Sequence, residues 1–115
     1  MIADDFLMRT IQAIVAALAR VMRLARRGET AQAQLELDAI YSGQLGFTRE
    51  QLARLDASTV VSMLGVERAT AMVSLILAEA EVENAAGHAD QAKALQQRAL
   101  DLDAAVSAGR RRSIV

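Results

Sequence analysis

Few residues in this chain can do chemistry, and they are scattered. His88 is the only histidine, so a site of several imidazoles, a Ser-His-Asp triad and a histidine proton relay all lack parts unless a second subunit contributes. It follows Gly87, where it reads as a solvated turn residue. Glu79 and Glu83 lie one helical turn apart with Glu81 between them, and two carboxylates so placed can share a cation. No second carboxylate helix with matching spacing accompanies them. The flanking Ala80 and Val82 suit a buried side, so the three glutamates are expected on a solvated acidic face. Cysteine is absent, which removes thiol nucleophiles, Cys-ligated zinc and iron–sulfur clusters. Gly43-Gln44-Leu45-Gly46 lacks the lysine and following Ser or Thr of a phosphate-binding loop, and no serine stands in a nucleophile elbow. No catalytic, cofactor-binding or metal-ligating residue is assigned, and the expectation is a non-enzymatic protein.

Two basic clusters offer the alternative of anion binding. Arg20, Arg23 and Arg27 share a helical face, joined by Arg26, and Arg110, Arg111 and Arg112 follow near the other end of the chain. Brought together, they would hold phosphates of nucleic acid or of an anionic membrane surface, with steep salt dependence. Against this, cations near helix C-termini are expected from the helix dipole alone, no aromatic is interleaved to stack bases, and the net charge is −1. Ser113-Ile114-Val115 is at most a weak match to a strand-adding C-terminal peptide.

The elements that must position these residues are helices. Alanine occurs 24 times, aromatics three times and proline never, a composition that suits helices and gives strands little to work with. A first helix is expected from about Asp4 to Arg27, with Asp4 and Asp5 at its positive end and arginines at its negative end, stopped by Gly28. Its apolar positions, Leu7, Ile11, Ile14, Leu18 and Met22 widened by Val15, Val21 and Leu24, form a face broad enough for more than one neighbour. A second helix is expected to start with Thr30 as its cap, carrying Leu35, Leu37, Ile40 and Tyr41 before Gly43 and Gly46 break it. Thr48 with Gln51 makes a capping box for a short helix over 49–55, and Asp56 or Ser58 caps another over 59–64. Long helices then run from Val66 to Ala86, ended by Gly87, and from Ala89 to Ala108, closed by Gly109. Met63 and Met72 read as core. With Asp4 and Asp5 where a secretory leader needs positive charge, and no apolar run long enough to span a bilayer, a cytoplasmic address is the default.

Two stretches echo each other. Arg27-Gly28-Glu29-Thr30-Ala31-Gln32-Ala33 and Ala86-Gly87-His88-Ala89-Asp90-Gln91-Ala92 each end a helix at glycine and place a small residue five positions on. Glycine allows the reversal, and Ala33 or Ala92 lets the second helix pack closely on the first, the pattern of an antiparallel hairpin. The second copy continues as Ala99-Leu100-Asp101-Leu102-Asp103, which resembles the end of a tetratricopeptide (TPR) unit. The two glycines are much further apart than the ~34-residue repeat of a regular TPR array. The whole chain resembles a group of short bacterial TPR-like proteins of unknown function: an amphipathic helix, a Gly-x-x-x-x-Ala hairpin at Gly28–Ala33, the Leu45-Gly46 step, a leucine-rich short-helix segment and a second hairpin at Gly87–Ala92. That resemblance implies a fold and no catalytic residues.

The expectation is therefore an all-α domain over 1–109 with a basic tail over 110–115: a compact bundle of five to six helices containing two TPR-like hairpins. Two hairpins leave apolar surface that the first helix, the short-helix insert or a second copy must cover. The function expected is a cytoplasmic adaptor or regulator that accepts a partner peptide or helix and forms a homodimer through helix one or the last helix.

Overall fold

A computed structural model describes residues 2–114, with side chains for residues 5–112. The dipole role expected of Asp4 and the C-terminal peptide motif ending at Val115 lie outside the described side chains. Six helices follow one another: α1 Ile2–Arg26, α2 Thr30–Ile40, α3 Arg49–Ala53, α4 Ala57–Leu64, α5 Val66–Ala85 and α6 Ala89–Ile114, with a π-helical turn at Tyr41–Leu45 after α2. No described residue is in a strand.

The two echoed segments fold alike, down to their hydrogen bonds. At the end of α1 the Gly28 amide donates to Ala25 O and the Glu29 amide to Leu24 O; at the end of α5 Gly87 donates to Asn84 O and His88 to Glu83 O. Both glycines have φ in the left-handed region, +74° and +84°, the backbone of a Schellman stop. The chain then reverses directly, so α2 packs antiparallel on α1 and α6 on α5. Ala33 and Ala92, five residues past each glycine, are fully buried. Thr30 begins α2 as its first helical residue and does not cap it: Glu29 occupies the cap position and makes no side-chain cap bond, because the reversal at Gly28 already feeds the chain into the next helix.

The capping box at Thr48 and Gln51 forms as expected, and Asp56 caps α4 by accepting from the Thr59 amide at 2.8 Å. Two glycines behave differently from their sequence reading. Gly43 lies inside the π turn, and only Gly46, with φ +79°, ends it. Gly109 does not close α6, which continues to Ile114. A Cβ at 109 would stand 3.3 Å from Val61 Cγ1 and 3.4 Å from Val66 Cγ2. Glycine there lets α6 pass close to the α4–α5 corner.

One core joins the helices: Ile14, Ala17 and Val21 of α1, Leu37 of α2, Tyr41 and Leu45 of the π turn, Leu52 of α3, Val60 of α4, Leu75 and Val82 of α5, and Leu102 and Val106 of α6. The broad face of α1 meets both α2 and α5, while α4 packs on α5 and α6.

Candidate functional sites: a polar cleft and an apolar groove

Tyr41 is the largest fully buried side chain. The widened turn that carries it keeps Tyr41 and Leu45 both inside, and π turns of this kind frequently mark sites under functional or packing constraint. Its hydroxyl donates to Glu79 Oε1 of α5 at 2.5 Å. Around this pair runs a chain of contacts linking four segments. Arg49, the first residue of α3, donates from Nε to Asp38 Oδ1 at 2.8 Å and from Nη1 to Gln34 Oε1 at 2.6 Å, and it stands 3.8 Å from Glu79 Oε2. Gln34 Nε2 donates to Glu83 Oε1 at 2.9 Å, and His88 Nδ1 lies 2.7 Å from Glu83 Oε2. Nearby, Arg98 Nη2 of α6 donates to the carbonyls of Leu52 and Leu55, satisfying oxygens at the end of α3.

These groups border a cleft of about 350 Å³ whose floor is Met72, Ile76 and Leu95 and whose polar wall is Tyr41, Arg49, Glu50, Glu79 and Arg98. Burial holds the Glu79 carboxyl above the usual carboxylate range, against the opposing pull of the Tyr41 hydroxyl and the Arg49 guanidinium. Burial, reinforced by Glu79, pushes the Tyr41 phenol well above its ordinary value. Every buried side-chain nitrogen and oxygen among the described residues has a partner. The arrangement therefore fastens α2, the π turn, α3 and α5 to each other, and Glu79 and Glu83 are not the solvated acidic face their spacing suggests. Their side chains are only 12% and 19% exposed, and their partners are Tyr41, Arg49, Gln34 and His88. No group of three or more His, Cys, Asp or Glu among the described residues is arranged to hold a metal.

The Glu79 environment carries a pH prediction. A carboxyl whose folded pKa is raised contributes stability that is complete below the unfolded value and is lost as pH rises through the folded one. Glu79→Gln keeps an acceptor for Tyr41 and removes that loss. The variant is expected to melt at a higher temperature than the wild type at neutral pH and to converge with it at about pH 4. Paired thermal melts across that range check this, and a variant less stable at neutral pH than at acid pH, relative to wild type, contradicts it.

The arginines do not form one patch. Arg20, Arg23 and Arg27 border a shallow depression of about 210 Å³ between α1 and α2, where Arg20 pairs with Glu36 at 3.4 Å. Arg110 lies at the opposite end of the bundle, donating to Thr70 Oγ1 in the first turns of α5 at 3.2 Å, and Arg112 borders a groove with Ser58 and Glu67. Arg111 is exposed.

A second candidate site lies on the other side of α1. Met8 and Val15 are exposed, at 58% and 60%, and Ile11, Leu18 and Met22 between and beyond them are half-buried. Leu18 and Met22 border Ser74, Leu77, Ala78 and Glu81 of α5 and Gln96 of α6 around a groove of about 440 Å³. Leu77 is 47% exposed. Met63, expected in the core, is instead exposed on α4, whereas Met72 is buried.

Reading the sequence passed over Arg49, Arg98 and the Tyr41–Glu79 pair. Two signals were present: an arginine at the first position of a capped helix, and a lone tyrosine in an apolar run. Neither names its partner across the fold. No family model matches the chain, and comparison with curated proteins and with solved structures likewise finds no match. Among the described residues, no helix is long and apolar enough to cross a membrane.

Proposed function

We propose that this chain is a small, non-enzymatic TPR-like interaction module, an adaptor or regulator acting in the cytoplasm, whose groove along α1 and α5 accepts a helix of a protein partner. The observation that supports it is the apolar strip Met8, Ile11, Val15, Leu18 and Met22, exposed at Met8 and Val15 and half-buried at the other three, beside the exposed Leu77. Isolated exposed leucines are ordinary on a protein surface, but an ordered strip along one helix, bordering a groove, is the form that receives an amphipathic helix. The polar cleft supports the same reading, since Tyr41, Glu79 and Arg49 are bonded to each other and Arg98 to the carbonyls of Leu52 and Leu55. The arginine clusters lend less support to nucleic-acid or membrane binding, because they stand at opposite ends of the bundle and one of the charges is already paired.

The test is a fluorescence-anisotropy titration with a labelled 21-residue model helix carrying leucines at a and d heptad positions. Binding in the micromolar range is expected, weakened at least tenfold by Val15→Glu or Leu77→Glu at unchanged melting temperature. Equal binding by these variants, or none by the wild type, ends this reading. Duplex DNA, single-stranded RNA and phosphatidylserine vesicles at low salt are expected to give no signal. Binding there that Arg23→Glu abolishes would favour the anion-binding alternative.

A further inference from the structure

The open strip on α1 has the spacing of a coiled-coil seam. Met8, Ile11, Val15, Leu18 and Met22 follow each other at steps of three, four, three and four without interruption, the repeat that lets apolar layers of two helices interlock. A second seam on the same helix, Thr10, Ile14, Ala17 and Val21, is buried against the core. The helix thus carries two seams side by side: the inner one is buried, and the outer one is exposed at Met8 and Val15 while Leu18 and Met22 pack only partly against the core.

The charges flanking the open seam select its occupant. Along one flank, at heptad intervals, stand Asp5, Gln12, Ala19 and Arg26. Asp5 and Arg26 are both exposed, and neither is in an ion pair among the described residues. In a parallel pair this flank would instead face Leu7, Ile14 and Val21 of the second copy, which carry no charge and of which Ile14 and Val21 are already buried in the core. In opposite directions the same flank pairs Asp5 with Arg26 twice, with uncharged Gln12 and Ala19 between, so the strip is complementary to itself only when reversed. Opposite charges at these positions are what set partner choice and orientation in paired helices.

We propose that the occupant of this groove is a second copy of the chain, joined by antiparallel pairing of α1 with α1; this rests on reading the α1–α5 face as a docking surface. The charge register sets Ile11 opposite Met22 of the second copy and Val15 opposite Leu18, with the two-fold axis crossing α1 between residues 16 and 17. Leu18 and Met22 border Ser74 and Leu77, so Leu77 reaches the interface beside the axis and its exposed surface is covered in the same step. Arg9 and Arg23 stand one position further round, at the solvated rim, where salt screens their repulsion.

Light scattering at tens of micromolar is expected to give twice the 12.4 kDa chain mass, and Val15→Glu to give a folded monomer whose melting temperature, unlike the wild type's, does not rise with protein concentration. Asp5→Arg and Arg26→Asp should each weaken the dimer roughly fivefold to tenfold, and combining them should restore it. Because the chain lacks cysteine, orientation is read by oxidation. Ile11→Cys with Met22→Cys should yield a covalent dimer. Ile11→Cys alone should not, since antiparallel pairing holds the two copies of residue 11 about 16 Å apart along the axis, beyond disulfide reach. A monomeric wild type, cross-linking by Ile11→Cys alone, or a double charge reversal that fails to recover overturns self-pairing. A monomer that still binds the model helix leaves the docking reading standing, whereas a monomer that binds nothing removes both.

Discussion

Replacing Tyr41 by alanine is expected to lower the unfolding free energy by about 3–5 kcal/mol, the usual cost of deleting a buried aromatic ring. The ring is 1% exposed and belongs to the single core that joins the helices. Against a total stability of ~5–15 kcal/mol for a domain of this kind, that is a large fraction. Tyr41→Phe separates the ring from its hydroxyl. Phenylalanine keeps the packing and removes only the bond to Glu79, so its expected cost is about 1–3 kcal/mol, the range for leaving a buried acceptor without its donor. It also removes one of the influences holding the Glu79 carboxyl down, and that carboxyl should titrate at still higher pH. Urea denaturation of the two variants, with a carboxyl NMR titration of Glu79, measures both effects. An alanine variant within about 1 kcal/mol of wild type would show that the ring is not part of the core.

The second large effect contrasts neighbours on α5. Leu75→Ala is expected to cost about 2–5 kcal/mol, because Leu75 is completely buried between α5 and the helices around it. Leu77→Ala, two residues on, should change the stability of the monomer by no more than about 0.5 kcal/mol, as surface substitutions do. Its effect belongs instead to association, where loss of a side chain beside the proposed two-fold axis should shift the dimer to higher concentration. Denaturation at nanomolar protein and light scattering at tens of micromolar separate the two. If Leu77→Ala were as destabilising as Leu75→Ala in the monomer, the outward placement of Leu77 would be wrong.

Much of the fold was legible because its signals are local. Gly28 and Gly87 stop their helices where the sequence placed the stops, since a left-handed residue is satisfied by carbonyls only three to five positions back. The box at Thr48 and Gln51 and the cap at Asp56 read correctly for the same reason. Ala33 and Ala92 were identified as close-packing positions from their distance to the glycines, and both are buried. Gly43 has neither a positive φ nor a neighbour within 4 Å of its Cβ position, and nothing in the structure explains glycine there; Gly109 was misread because glycine has two uses that look identical in one dimension. At 28 and 87 it supplies a positive φ, and at 109 it supplies the absence of a side chain where Val61 and Val66 approach from other elements.

By itself, then, the sequence determined the class of fold, the number of long helices, the two reversals and the shortage of reactive groups, all properties of composition and of contacts within a few residues. Tertiary structure alone decided three things. It decided that the acidic run at 79–83 turns two of its carboxylates inward to Tyr41, Arg49 and Gln34, that the arginine clusters part to opposite ends, and that one of two apolar seams on α1 stays partly uncovered. The physical reason is shared. In α5 the stretch around Leu75, Ile76 and Leu77, and in α1 the arc from Thr10 round to Met22, are apolar over more of the helix surface than one neighbour can cover. Periodicity can say that such a helix has a wide face, but which part of it is buried depends on where other helices come to rest, and that is set by contacts between residues tens of positions apart.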